Sequence, residues 1–308
     1  MKPVYQLSIV VAVQYAQQNL GTILQRLRPE RYPQVEFIFC TTASDPQTLQ
    51  LVSGHANISV LVSPVGSLIP VLWKEGIVAA RTNTVALSTA HCVPANDWVQ
   101  QLLGTDMSEV AGVGGVFEND AKASVRSWAI YLLRYIAYSP PQTDRMVEDI
   151  AADNAVYRRQ DILQNSDLLE DGFWEPSFHR RFRQAGLSLQ LKPDLCVTHE
   201  NCYTNRQFIR QRLAHGKAFG IERAENITKR KRGLLILLSP LLPFVFLSKI
   251  VVKVLSHGGY TVRLLQALPW LLLFLFAWGL GEAKGYLAAG RGENSNTQNN
   301  KGMTPDDQ

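Results

Sequence analysis

Apolar positions along the first ninety residues follow two rhythms. Leu7 to Val13 is a continuous, largely β-branched run, which predicts a buried first strand. At the short limit of a secretory apolar core, and followed at once by Gln14, Gln17 and Gln18, it reads as a strand and not as a leader. Residues 16–28 then place Leu20, Ile23, Leu24 and Leu27 on one helical face. Val35 to Cys40 and Ile58 to Val62 predict the second and third strands, with a helix start at Asp45-Pro46 between them. Residues 70–82 read as a helix and Val85 to Leu87 as a fourth strand. Strands alternating with helices at this pace predict an α/β fold: a mostly parallel sheet with helices on both faces.

The middle of the chain keeps the alternation but loosens it. A helix is expected from Trp98 to Leu103, then an apolar strand, Val110 to Phe117, carrying Gly112, Gly114 and Gly115. Glycines inside a strand mark close backbone approach. Residues 125–138 are aromatic and apolar at helical spacing, and 141–152 read as a loop. A short strand is expected at 153–159, a helix from Pro176 to Ala185, and two strands, Leu187 to Leu191 and Leu195 to Val197.

The last hundred residues change character. A basic amphipathic segment covers Asn205 to Ala224, and then two long apolar runs follow. Leu234 to Ser248 has no charge but is interrupted by Pro240 and Pro243, and Leu264 to Gly281 has only Gln266 as a polar side chain. About 20 apolar residues span a bilayer, so the region 229–289 is expected to be membrane-associated with one or two helices. A pair of buried core helices is the alternative. From Gly290 onward the composition is that of a disordered tail.

Net charge is +5, and its densest part, Lys229-Arg230-Lys231-Arg232, adjoins the first apolar run. That placement favours a cytoplasmic membrane flank. Basic residues elsewhere are not interleaved with aromatics, which argues against nucleic acid. Two spans without intramembrane ionisable pairs offer little for a transporter. Cys40, Cys92, Cys196 and Cys202 form no metal-type spacing and are expected to be free thiols.

Chemistry is expected where the fourth strand empties into Ser88-Thr89-Ala90-His91-Cys92, because ligands of open α/β sheets bind beyond the carboxyl ends of strands. Read in order, several segments resemble family-2 glycosyltransferases with the nucleotide-diphospho-sugar-binding fold, in their membrane-anchored bacterial form. They are SIVVAVQYAQQNL (8–20), VEFIFCTTASD (35–45), GIVAAR (76–81), LSTAHCVPANDW (87–98), ADNAVYRR (152–159), FWEPSFHRRFRQAG (173–186), VTHEN (197–201) and the apolar LPWLLLFLFAWGLGEAKGYLAAG.

That resemblance implies a catalytic domain over 1–228, ahead of the membrane region 229–289 and the tail 290–308. It implies transfer of a sugar from a nucleotide-sugar donor to a lipid-linked or polysaccharide acceptor, by inverting displacement, at the cytoplasmic face of the cell membrane. Glu175 matches the catalytic base. Ala12, Tyr15, Thr41, Arg81, Thr89, Ala90 and His91 fall on donor-binding positions, and Asn154 and Trp174 on acceptor-binding ones. The family's two metal-site aspartates fall on Thr89 and His91, its nucleobase-side acid on Thr41 or Thr42, and the glutamate after the first strand on Ala16.

Three outcomes stay open. His91 and His199 hold a divalent metal, for which imidazole suits zinc, iron or nickel better than the family's Mn or Mg. Or the diphosphate is met without metal, by Arg81, Arg158 or Arg180. Or transfer is lost, and a non-catalytic membrane-bound homologue serves binding or assembly. Plainer roles stand beside these: a helix-start acid for Glu175, a strand-end residue for His199, a core aromatic for Trp98, a helix cap for Asp97.

Overall fold

The computed structural model describes residues 5–42, 45–52, 54–225 and 227–290; the expected tail lies outside the described residues apart from Gly290. Two compact units form. One comprises 1–121 with 138–202, the other 122–137 with 203–308. The division therefore falls before the basic segment at 205, not at 228, and the aromatic helix near 130 joins the second unit.

The first unit opens as the periodicity predicts. β1 (Leu7–Ala12), α1 (Leu20–Leu27), β2 (Val35–Thr42), α2 (Pro46–Val52), β3 (Ile58–Ser63), α3 (Ile69–Ala79) and β4 (Thr84–Thr89) follow in turn. All the pairings among β1 to β4 are parallel, in the order β3-β2-β1-β4. The chain walks outward from β1 to β3 and then returns to the far side of β1. That reversal leaves a crevice at the carboxyl ends of β1 and β4. β1 and β2 are buried along almost their whole length, so they read as continuous apolar runs.

The next elements are β5 (Cys92–Pro94), α4 (Trp98–Leu103) and β6 (Gly112–Asn119). α5 (Val125–Tyr135) leaves for the second unit, and β7 (Arg145–Val147) lies inside the stretch expected to be loop. β8 (Asn154–Arg158), α6 (Arg159–Leu163), α7 (Glu175–Gln184) and β9 (Leu189–His199) complete the first unit. β9 is one strand where two were expected. The far half of the sheet is mixed: β8 lies antiparallel between β4 and β6, and β6 runs parallel to β9.

The β6–β9 register shifts between Gly114 and Val116. Asn154, fully buried, reaches into that irregularity and donates to the Val116 and Leu195 carbonyls, both at 3.0 Å. A β-carbon at Gly115 would lie 2.0 Å from the Leu195 carbonyl oxygen and 2.4 Å from Asn154 Nδ2, so only glycine fits there. The Trp98 indole donates to Asn154 Oδ1 at 2.8 Å and ties α4 to the same point.

The second unit is helical. α5 is joined by α8 (Asn205–Glu225), α9 (Lys229–Leu238), α10 (Leu242–His257) and α11 (Thr261–Gly290). Pro240 lies inside a single 3-10 turn, Ser239–Leu241, between α9 and α10, and Pro243 in the first turn of α10, since proline removes the amide a continuous helix needs. Lys229–His257 and Thr261–Gly290 are both long and apolar enough to cross a membrane. Burial separates them: 17% of the most apolar window is buried in the first and 44% in the second.

Candidate functional site

Three strand ends build the site. Ala12 pairs in register with Cys40 on one side and Thr89 on the other. Beyond them the Ala90 amide donates to the Ala12 carbonyl at 2.9 Å. Asn19 Nδ2 donates to the Ala90 carbonyl at 3.0 Å and to that of Glu200 at 3.3 Å, which ties the loops after β1, β4 and β9 together. Ala12, Thr41, Thr89, Ala90 and His91 are all fully buried.

Tyr15 holds a left-handed backbone, φ 58°, just past β1. A bulky residue there stores strain of about 1–3 kcal/mol, which persists only where its surroundings impose it. Two contacts on the preceding residue do so. Gln14 Nε2 donates to the Ser67 carbonyl at 2.9 Å, and His91 Nε2 donates to the Gln14 carbonyl at 2.9 Å. That bond places the His91 proton on Nε2 and gives the ring a positioning role.

Thr41 does not face a ligand alone. Its hydroxyl donates to Asp45 Oδ2 at 2.6 Å, and the Thr48 hydroxyl donates to the same oxygen, while the Thr48 amide donates to Oδ1 at 3.1 Å and caps α2. Burial pushes Asp45 up, but the hydrogen bonds from Thr41, Thr48 and Gln17 outweigh it and hold the carboxyl below its ordinary value. A carboxylate therefore does sit beside Thr41. It was legible as a helix cap and missed as a site residue.

Asp153 is the second residue the sequence reading missed. It is buried, 3% exposed, and accepts from the Thr89 hydroxyl at 3.4 Å. Asp153, Asp149 and Glu175 all act on the phenols of Tyr138 and Tyr157. Burial comes first in raising both hydroxyls, and these three carboxylates add to it. The Tyr157 hydroxyl meets His179 Nε2 at 3.0 Å, and His179 Nδ1 meets Asp149 Oδ1 at 3.2 Å. Burial lowers the His179 pKa more than Asp149 raises it, so the imidazole is neutral, donating from Nδ1 and accepting at Nε2.

Glu175 opens α7 and is half-buried, with Trp174 at the cap position before it. The preceding turn is anchored. The Phe173 amide donates to the Pro70 carbonyl at 2.8 Å, and Gly172 at φ +116° sits where a β-carbon would meet the Pro70 backbone at 2.8 Å. Trp174 Nε1 donates to the Asp171 carbonyl at 3.2 Å. This geometry aims Glu175 and Trp174 from a fixed turn.

Four expectations change. Arg81 lies before β4, at the amino ends of the strands, where its guanidinium pairs with Glu36 and stacks on Tyr5 at 4.7 Å. It is not brought to the crevice. Arg158 also lies at that end, opposite Thr84 and paired with Asp161 at 2.7 Å. Asn154 spends its side chain on Trp98, Val116 and Leu195 in the core, which removes it from acceptor binding. Asp97 precedes α4 without capping it and accepts instead from Gln101 at 3.1 Å.

The paired-histidine metal site is not formed either. Cys92 opposes His199, and the Glu200 amide donates to the His91 carbonyl at 2.8 Å. His91 belongs to the turn between β4 and β5, where its ring is spent on the Gln14 carbonyl, and His199 closes β9 opposite Cys92. His199 Nδ1 meets Asn119 Oδ1 at 3.4 Å. Among the described residues no group of three or more His, Cys, Asp or Glu is placed to hold a metal ion. Thr89 and His91 also lack the paired carboxylate oxygens that Mn or Mg prefers, so the donor set does not fit such an ion.

No protein-family model matches the chain, and no curated protein matches it. Solved structures do. The mannosyltransferase PcManGT from Pyrobaculum calidifontis, in complex with GDP-Man and Mn2+, is similar at 13% identity, over 95% of this chain and 77% of that one, with a TM-score of 0.48. S. aureus TarS, residues 1–349, is similar at 12% identity, over 94% and 93%, with a TM-score of 0.47.

Proposed function

We propose that this chain is a membrane-associated glycosyltransferase that moves a sugar from a nucleotide-sugar donor to a lipid-linked or polysaccharide acceptor. One observation carries the reading. The Thr89 hydroxyl at the carboxyl end of β4 donates to the buried carboxylate of Asp153 at 3.4 Å, and Asp153, Asp149 and Glu175, the first residue of α7, act after burial on the same two phenols, Tyr138 and Tyr157. A donor site at a topological switch point and a base on an adjacent fixed turn are what a direct displacement needs.

In this reading Ala12, Tyr15, Thr41, Thr89, Ala90 and His91 form the donor end, with Asp45 and Asp153 added to it. The half-buried Glu175 takes the proton from the attacking acceptor hydroxyl as that oxygen bonds to the anomeric carbon. The nucleoside diphosphate leaves from the opposite face, so configuration inverts. Trp174 offers a ring for the acceptor. No step is routed through a metal, because the residues present do not fit one. Arg81 and Arg158 take no part in the transfer, because both lie at the amino ends of the strands. The Lys229–Arg232 cluster beside the first apolar run supports a cytoplasmic position for the catalytic unit.

The burial of Ala12, Thr41, Thr89, Ala90 and His91 favours a second reading, a membrane-bound binding or assembly protein that keeps the fold without transfer. Turnover of a nucleotide-sugar panel by the detergent-solubilised full chain separates the two. Glu175→Gln is expected to keep nucleotide binding and lose about a hundredfold to ten-thousandfold in rate. Unchanged turnover in that variant removes Glu175 as the base. A wild type that binds no nucleotide moves the assignment to the second reading.

A further inference from the structure

The helical unit contains a cavity of about 340 Å³ whose lining has the wrong polarity for a soluble bundle. Its walls include Phe246 and Ile250 from α10 and Leu275 and Trp278 from α11. Its charged lining is Arg212, Lys249 and Lys253, with no acidic side chain among the described lining residues. The opposite surface of α10 exposes Phe244, Val245, Val252 and Leu255. A helix in water turns its lysines outward and its aromatic and aliphatic side chains inward. α10 turns Phe246, Lys249, Ile250 and Lys253, spaced three, one and three apart, toward the cavity and leaves hydrocarbon outside. That arrangement suits a helix whose surroundings are lipid, where ionisable residues mark ligand sites.

The cations are arranged in depth. Arg212 is buried, 7% exposed, with its guanidinium 5.0 Å from the Phe208 ring and 5.3 Å from that of Trp278. Stacking between two aromatics orients the planar fork, whose donors match phosphate oxygens. Lys249 and Lys253 are exposed at the rim, one helical turn apart. Burial, then Arg212 and Arg134, hold the His215 imidazole well below its ordinary value, which marks the positive potential on this side of the unit. The carboxylate of Glu282, one turn beyond the cavity wall residue Trp278 on α11, is taken up by Tyr286, by the Trp278 indole at 3.3 Å and by Arg223 at 3.5 Å.

We propose that this cavity binds a phosphate-headed lipid, its head held by Arg212, Lys249 and Lys253 and its chain lying against the apolar walls and the exposed hydrocarbon of α10. The volume falls within the range of about 300–1,000 Å³ usual for small-ligand sites, which accommodates a head group and the first part of a chain. The inference stands without the transferase reading, because its readout is lipid retention and not turnover.

The test is native mass spectrometry of the full chain in detergent, with four probes: dioleoyl phosphatidic acid, dioleoyl phosphatidylcholine, dioleoylglycerol and inorganic phosphate. Phosphatidic acid is expected to be retained about tenfold over the other two lipids, and equimolar inorganic phosphate is expected not to displace it. The exposed pair Lys249→Gln/Lys253→Gln should reduce that retention to the phosphatidylcholine level. Lys229→Gln/Arg230→Gln, the same charge change at the start of α9, should hold it within about twofold. Equal retention of phosphatidylcholine or dioleoylglycerol overturns the proposal, as does displacement by free phosphate. An equal loss in the α9 pair overturns it too, by showing that overall charge, not this cavity, attracts the lipid.

Discussion

Asn154→Ala separates an acceptor ligand from a core fastener. The side chain accepts one hydrogen bond, from Trp98, and donates two, to the Val116 and Leu195 carbonyls, with no exposed surface. Alanine leaves an indole N–H and two carbonyl oxygens without this partner. Each buried orphan costs about 1–3 kcal/mol, with carbonyls at the low end because they keep a second lone pair. The sum is about 3–5 kcal/mol. For a unit of this size each kcal/mol moves Tm by about 2–4 °C, so a drop of roughly 6–20 °C is expected. Differential scanning fluorimetry in detergent measures it. Trp98→Phe removes one of the three bonds, and the double variant should lose less than the sum of the singles, because the shared bond is removed once. A Tm within about 2 °C of wild type, together with a raised acceptor KM, refutes the reasoning and returns Asn154 to the acceptor site.

Arg81→Gln is expected to cost about 1 kcal/mol or less, since the guanidinium is half exposed and Glu36 keeps donors from Ser8 at 2.7 Å and the residue-81 amide at 3.0 Å; calorimetric nucleotide affinity should not change, and a tenfold loss would place Arg81 at the donor. His179, neutral when folded, has a pKa below its unfolded value of about 6.5, so its contribution is present above that pH and is lost as pH falls toward the folded value. The thermal midpoint should therefore decline from about pH 6.5 downward in wild type and flatten in His179→Gln; equal slopes in both would contradict the assignment. Asp149, held down chiefly by the His179 hydrogen bond, adds a contribution present above about pH 3.9 and lost only further into acid. The Cys196 and Cys202 thiols, both pushed up to about 11 by burial first and by nearby carboxylates second, should alkylate at pH 8 about two orders of magnitude more slowly than a free thiol, and mass spectrometry of labelled peptides would show it.

Fold elements were legible because their signals are local. The run Leu7 to Val13, the face formed by Leu20, Ile23 and Leu27, and the two prolines at 240 and 243 act within a few residues of themselves. β7 and the undivided β9 escaped because their strand state comes from distant partners: β7 pairs with β9, Arg145 with Leu191, and β9 pairs with β6 from Leu189 to His199. The crevice was legible in outline, since Thr89 to His91 had to follow a strand.

By itself the sequence determined the alternating strands and helices, the glycine-rich sixth strand and two helices apolar enough for a membrane. All of these follow from the spacing of side chains along a regular backbone. Only the tertiary structure decided which polar groups meet. The order β3-β2-β1-β4-β8-β6-β9-β5 put Asp153 against Thr89, sent Arg81 to the wrong end, and filled the Gly115 irregularity with Asn154. It also gave the His91 and His199 rings separate partners, the Gln14 carbonyl and Asn119 Oδ1. Those partners are dozens of residues apart, and their meeting depends on strand order and register, which no local pattern of apolar and polar residues encodes.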